Sequence, residues 1–315
     1  MKNLKKIKGD ASFRKFFRKK YINYNSIIVF AKKEKNKNLL IYDSINKILN
    51  NNKVLAPQLY NEYYHKNYME IQDFGNDTIY RIFKKKGKSK ICYYKKIIET
   101  LIKIQLIKDK NIKNFKKKNY KVPKYDIKIL IQEANLFCDW YVKKNLKKIK
   151  RVKFIKKFKK ITKKLASSLK LKNNTFVHRD FHISNLILVN NKIGVIDSQD
   201  ALIGNQAYDL ASLIDDVRFK TSEPIKKKVF KLYLNKQKKL NNEKFKNDFE
   251  ILSILRNLKI IGIFTRLAVR DKKKFYLKLI PHAWSLISMR ISKNEIFSEL
   301  KELLISNFNR KLNGN

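Results

Sequence analysis

Between Thr175 and Asp200 the chain runs Thr175-Phe176-Val177, then a polar cluster, then Leu186-Ile187-Leu188-Val189, an Asn190-Asn191 pair, and Ile193-Gly194-Val195-Ile196 closed by Asp197. The last two apolar runs are strand-length and the asparagine pair supplies a turn, so the stretch predicts a short hairpin. Chemistry-bearing residues crowd both of its mouths: His178-Arg179-Asp180-Phe181-His182 and Asn185 lead into the first strand, and Asp197-Ser198-Gln199-Asp200 follow the second.

That spacing has a chemical use. An Asp five residues before an Asn, with a second Asp just after the next strand, places one carboxylate at an acceptor hydroxyl and two oxygen ligands on Mg²⁺. Phosphoryl transfer asks little more of a protein, because its catalysis is positioning plus neutralisation of charge on the phosphoryl oxygens. On this reading Asp180 orients and deprotonates the hydroxyl, Asn185 holds a metal, and Asp197 holds the metal that bridges the nucleotide phosphates. A plainer account treats His178-Arg179-Asp180 as a solvated loop and Asp197 as a strand-end cap.

Elsewhere the pattern divides by period. Phe13 to Tyr21 and Ser26 to Ala31 are aromatic and β-branched runs around Asn-Tyr-Asn, Leu39 to Leu49 has helical spacing, and Leu59 to Tyr64 with Tyr68 to Gln72 flank His65-Lys66-Asn67. These predict two hairpins and a helix in a small sheet-rich N-terminal lobe, residues 1–75. From Thr78 the spacing is helical apart from the central hairpin, with candidates at Cys92 to Lys108, Tyr125 to Lys144, Phe154 to Leu171, Ala207 to Phe219, Pro224 to Leu240, Glu243 to Val269 with a break, Phe275 to Ser288 and Asn294 to Phe308. Residues 76–315 then form a larger, mainly helical C-terminal lobe carrying the catalytic loop and acceptor site. The fold class is α+β.

The formal net charge of +49 ordinarily points to nucleic acid or an anionic membrane. Here lysine outnumbers arginine several-fold, the excess is spread along the whole chain, and Asn and Ile are abundant while Gly and Pro are scarce. Drift towards A/T-rich codons gives that composition without a polyanion partner, and base readout favours arginine. No specific nucleic-acid partner and no membrane association are therefore expected. The Lys-rich stretches Lys84 to Lys90, Lys108 to Lys121 and Lys143 to Lys160 read as solvated helix faces and loops. Cys92 and Cys138 lack metal-ligand spacing and read as buried thiols of a reducing compartment. With no apolar run of spanning length and no leader at the start, the expected location is the cytoplasm.

His178-x-Asp180-x-x-x-x-Asn185, Ile196-Asp197 and Tyr208-Asp209-Leu210-Ala211-Ser212-Leu213 resemble the aminoglycoside-phosphotransferase and choline-kinase-like branch of the protein-kinase superfamily. Val195 to Ala201, Gly9-Asp10-Ala11-Ser12-Phe13-Arg14, Glu133 to Tyr141, Arg256 to Lys259 and Arg270-Asp271 extend the similarity over nearly the full length. Together they look like the bacterial cell-wall sugar kinases that phosphorylate the anomeric hydroxyl of N-acetylmuramate and N-acetylglucosamine. The resemblance implies a two-lobed protein-kinase-like fold that uses ATP and Mg²⁺ and takes a small amino-sugar as acceptor; choline, an amino acid or an aminoglycoside are other acceptors on the same fold. A catalytically silent basic protein binding RNA or an acidic partner is the reading from another class.

By resemblance, Gly9, Asp10, Ala11, Ser12, Phe13 and Arg14 form the turn over the nucleotide phosphates, using backbone N–H groups and the nearby Arg14 or Arg18. An ordinary tight turn explains the same residues. Asp73 belongs to the hinge that meets the adenine. Asp209, with His178 and Arg179, supports the catalytic loop, and Glu133, Asp200 and Arg256 are candidates for acceptor contacts. The strand lysine that anchors the α- and β-phosphates in kinases has no clear counterpart, since the nearest lysines, Lys32 and Lys33, lie at the end of Ile27 to Ala31.

Overall fold

The structure is a computed structural model that describes residues 4–7, 14–31, 38–85, 89–292 and 294–312. Contacts group the chain into two compact units, Met1–Pro123 with Thr175–Ile203, and Lys124–Asn174 with Gly204–Asn315.

The first unit is built on a five-stranded antiparallel sheet of β1 (Leu4–Ile7), β2 (Lys15–Lys20), β3 (Asn25–Phe30), β4 (Leu59–Tyr63) and β5 (Tyr68–Gln72), ordered β1-β2-β3-β5-β4. Both expected hairpins are there. In the second, the strands turn through a 3₁₀ segment, Tyr64–Lys66, and Asn67 in the left-handed region at φ 61°. One face of the sheet is covered by α1 (Asn38–Asn51), whose Leu39 and Tyr42 pack with Val29, Ala31, Met69 and Ile71. Next come α2 (Ile79–Lys84), capped by the Thr78 hydroxyl accepting from Arg81 N at 3.2 Å, and α3 (Lys90–Leu106), which buries Tyr94, Ile97, Ile98, Leu101 and Ile104.

Cys92 lies on the solvent side of α3 and is exposed, so only Cys138 is the buried thiol expected of both; burial pushes that thiol up to about 12. Lys108 to Lys121 is also more ordered than its lysines suggested. It forms an antiparallel ribbon, β6 (Asn111–Lys113) against β7 (Asn119–Lys121), whose turn is fastened where Phe115 N donates to the Asp43 carboxylate on α1 at 2.8 Å. Single inward residues, Ile112 and Tyr120, between exposed polar neighbours gave too little periodicity to announce it.

After β8 (Asn173–Val177) comes the predicted hairpin, β9 (Leu186–Val189) paired with β10 (Lys192–Val195). Asn190 and Asn191 both have positive φ, 45° and 62°, which a two-residue turn between right-twisted strands requires and asparagine tolerates. Val195 N donates to Leu55 O at 2.8 Å and Leu188 N to Asp77 O at 2.9 Å, fastening the hairpin to the segments that follow α1 and precede α2.

The second unit is helical: α4 (Ile127–Leu136), α5 (Lys143–Asn145), α6 (Lys148–Ser167), then β11 (Leu202–Asn205) leading to α7 (Ala207–Ile214), α8 (Glu223–Asn235), α9 (Asn242–Val269), α10 (Ile280–Ile291) and α11 (Ser298–Leu312). Between α4 and α5 a π-helical turn, Phe137–Val142, continues the same rod. The break expected in α9 is absent, and its 28 residues form one helix, buried on nearly every side. Gly262 explains why: a Cβ there would lie 2.3 Å from the Leu136 carbonyl carbon and oxygen and 2.6 Å from Phe137 N, so this glycine lets α9 pass backbone to backbone against the start of the π turn.

Around that crossing Phe137 stacks on Tyr141 and meets Phe154, Phe158, Trp284 and Phe308. Helix α7 ends at Ile214, short of the predicted Phe219, because Asp215 turns inward to Lys226 Nζ (2.7 Å), Arg290 Nε (2.9 Å) and Ser253 Oγ (2.6 Å). Among the described residues no helix is long and apolar enough to cross a membrane.

Candidate active site

The mouths of the hairpin converge within the first unit. His182 N and the Asn185 side-chain Nδ2 both donate to the Asp180 carbonyl, at 3.0 and 3.1 Å, and Asn185 N donates to His182 O at 2.9 Å. These bonds curl residues 180–185 into a tight loop ending in a 3₁₀ turn, Ile183–Asn185. Ile196 N then donates to Asn185 O at 3.0 Å, which sets Asp197 beside Asn185. With its Nδ2 turned to the Asp180 carbonyl, Asn185 points its Oδ1 the other way, as an oxygen ligand must.

Two of these residues sit in backbone conformations that side chains disfavour: Arg179 has φ 75° and Asp197 has φ 62°. Neither is a glycine or a turn asparagine, and such outliers persist where surrounding structure over-determines them, commonly at functional sites. His178 is fully buried, and burial pulls its imidazole down to about 4, so it is neutral at physiological pH and packs edge-on to Phe181.

Asp197 is a crowded carboxylate. Burial pushes its carboxyl up, the charges of Asp180 and Asp200 push the same way, and Arg14 pulls it down. Arg14 Nη2 donates to Asp197 Oδ1 at 2.8 Å and Nη1 to Gln199 Oε1 at 2.7 Å, while the guanidinium lies over the rings of Phe16 and Tyr42. Next door, Ser198 Oγ donates to Asn46 Oδ1 on α1 at 2.6 Å, and Gln199 Nε2 donates to Asp200 Oδ2 at 2.9 Å. Arg179 approaches Asp200 at 3.9 Å.

Oxygen donors at Asn185 and Asp197, with Asp180 and Asp200 in electrostatic reach, could hold a hard cation, which would relieve the repulsion among the carboxylates. Among the described residues no three His, Cys, Asp or Glu side chains form a cage of their own.

Asp73, expected at the hinge, is gripped by Arg18 through both carboxylate oxygens and accepts from Gly75 N at 2.8 Å, in a turn where Gly75 has φ 83°. Arg18 also donates to Asn76 Oδ1 at 2.8 Å. Gly9, Asp10, Ala11, Ser12 and Phe13 lie outside the described residues.

Glu133, Arg256 and Asp209 belong to the second unit. Glu133 accepts from Lys259 Nζ at 2.9 Å and from the Tyr125 hydroxyl. Arg256 is 4 % exposed, and its Nη1 has no hydrogen-bond partner among the described residues. Asp209 is buried in the first turn of α7. Sequence reasoning gave no role to Tyr42 or Asn46, and it quoted Ser198 and Gln199 in the hairpin motif without assigning them one. The available signal at Asn46 was a polar residue one turn after Asp43 on a helix otherwise rich in Leu and Ile.

A family model described as "Phosphotransferase enzyme family" matches residues 3–239. A protein from Neisseria meningitidis serogroup B named N-acetylmuramate/N-acetylglucosamine kinase is 27 % identical over 282 residues, covering 87 % of this chain and 81 % of that one. A Pseudomonas aeruginosa protein of the same name is 26 % identical, covering 95 % and 86 %. Among solved structures, a choline/ethanolamine kinase family protein from Mesorhizobium loti superposes with a TM-score of 0.64 at 11 % identity, covering 95 % of this chain and 92 % of that one. The fold is protein-kinase-like.

Proposed function

We propose, because this chain belongs to the phosphotransferase enzyme family, that it is an ATP-dependent kinase of a small amino-sugar, adding phosphate to the anomeric hydroxyl of N-acetylmuramate or N-acetylglucosamine. The observation that carries the reading is the convergence of Asp180, Asn185 and Asp197 at the mouth of one hairpin, in a chain matched over most of its length by kinases bearing that substrate name.

Asp180 accepts a hydrogen bond from the acceptor hydroxyl, aims its oxygen at the γ-phosphorus in line with the departing ADP, and takes its proton late in the step. The new bond is sugar oxygen to γ-phosphorus, and the bond that breaks joins that phosphorus to the β–γ bridging oxygen. Asn185 and Asp197 present oxygens to Mg²⁺, whose chemistry when bound is neutralisation of phosphate charge. Buried His178 and the strained Arg179 are assigned to supporting the loop, and Asp209 takes the same role by the family resemblance alone. Residues 1–75 serve the nucleotide, with Gly9 to Arg14 over its phosphates and the backbone near Asp73 at its base. Residues 76–315 carry the catalytic loop and the acceptor site, with Glu133, Asp200 and Arg256 as contacts for sugar hydroxyl or carboxylate groups. ATP as donor places the protein in the cytoplasm.

Replacing Asp180 with Asn keeps the shape and removes the base. In a coupled assay of ATP consumption on N-acetylglucosamine, kcat is expected to fall by roughly two to four orders of magnitude while nucleotide affinity changes little. Full turnover by Asp180→Asn on every amino-sugar would remove the assigned role.

A further inference from the structure

Protein kinases hold the α- and β-phosphates with a lysine on the third strand, itself steadied by a glutamate on the adjoining helix. Neither partner is found among the described residues in those places. Strand β3 reads Asn-Ser-Ile-Ile-Val-Phe, and α1 contains no glutamate; its one acid, Asp43, is taken by Lys47 Nζ and Phe115 N, each at 2.8 Å. What does reach the metal-binding aspartate is Arg14.

Of the two arginines near the phosphate turn, Arg18 is committed to Asp73, Asn76 and the Gly75 carbonyl, while Arg14 lies at Asp197. Its side chain is 4 % exposed, fixed by two ring faces and by the Gln199 carbonyl oxygen. A guanidinium so desolvated requires an anion, and the one it meets here is Asp197. Were Asp197 to hold a magnesium ion, its charge would be shared with the metal and Arg14 would need another anion, which a nucleoside triphosphate, carrying more charge than one Mg²⁺, would supply.

Resting on the kinase reading above, we infer that Arg14 is the cation that grips the nucleotide phosphates in this chain, in the role a strand lysine plays in protein kinases, with Tyr42, Phe16 and Gln199 holding it in place of a helix glutamate. Nη2 of Arg14 donates to Asp197 Oδ1 while Nη1 stays on Gln199, and nucleotide binding would move the Nη2 donor from the carboxylate to a phosphate oxygen. A guanidinium N–H suits both partners, because each offers an anionic oxygen.

The test is calorimetric titration of wild type and Arg14→Gln with ATP, ADP and adenosine in the presence of Mg²⁺, alongside thermal unfolding without nucleotide. Without its charge-assisted bond to phosphate, the variant is expected to bind ATP and ADP about ten- to a hundred-fold more weakly, with adenosine unchanged. Arg14→Met, which keeps its packing on the two rings without the charge, gives the same pattern and carries the test if the glutamine variant does not fold. Equal affinity of wild type and variant for ADP would overturn the assignment. So would a parallel loss for ADP and adenosine with a lowered melting temperature, since that marks a structural strut. A wild-type protein that binds no nucleotide at all overturns the kinase reading and this inference with it.

Discussion

Substituting Gly262 with alanine turns one close approach into a measurable quantity. In an ordinary helix interior the change is favourable by up to about 1 kcal/mol, because alanine loses less backbone entropy than glycine. Here the new methyl would sit 2.3 Å from the carbonyl carbon and oxygen of Leu136 and 2.6 Å from Phe137 N. Carbon atoms pack at about 3.5–4.0 Å, so α9 and the start of the π turn must separate by about 1 Å. All three atoms are backbone, so no rotamer change relieves the clash.

Overpacking typically costs about 1–3 kcal/mol, and this site belongs at the top of that range, since Phe137 anchors the aromatic cluster of Tyr141, Phe154, Phe158, Trp284 and Phe308. Net of the propensity gain, a loss of about 2 kcal/mol is expected, which lowers Tm by several degrees in a protein of this size. Circular dichroism melts of wild type and Gly262→Ala check it. The sign decides: a variant as stable as wild type, or more stable, would mean the two backbones do not meet there.

Two further outcomes follow from charge. Asp215 is wholly buried between Lys226 and Arg290, which hold its carboxyl far below the usual carboxylate range, so Asp215→Asn strands two buried cations and is expected to cost about 3–5 kcal/mol in urea unfolding. Because the folded value is depressed, its contribution is complete above the unfolded value near pH 4 and is lost as pH falls below that; the acid-side slope of Tm against pH should be shallower in Asp215→Asn, and an unchanged slope would contradict the pairing. If the lysine excess reflects composition alone, binding to duplex DNA or RNA is weak, indifferent to sequence and lost steeply between low and physiological salt by fluorescence anisotropy; sequence-selective nanomolar binding at physiological salt would reverse that.

How far the chain could be read in advance depended on whether a feature was local. The site hairpin was legible because short apolar runs and an Asn190-Asn191 turn encode it in ten residues, and β2 to β5 announced themselves the same way. What stayed hidden depends on partners distant in sequence. Arg14 and Gln199 stand 185 positions apart, and no spacing rule separates Arg14 at Asp197 from Arg18 at Asp73. Gly262 is conspicuous as a glycine, yet only the approach of Leu136 shows that it joins two helices instead of breaking one. The early end of α7 has the same origin, since Asp215 leaves the helical path for cations on α8 and α10. In the ribbon at Asn111 to Lys121, lysines surround Ile112 and Tyr120 and hide a two-residue inward pattern.

The central claim, phosphate transfer from ATP to an anomeric hydroxyl, is tested most directly by ³¹P NMR of the products formed from N-acetylmuramate, N-acetylglucosamine, the methyl glycoside of N-acetylglucosamine, choline and an aminoglycoside. The account predicts a phosphorus resonance coupled to the anomeric proton with the free amino-sugars and no product from the methyl glycoside, whose anomeric oxygen carries no proton for Asp180 to take. Phosphorylation of the methyl glycoside as fast as the free sugar, or ATP consumed with choline or the aminoglycoside and with neither amino-sugar, would contradict it.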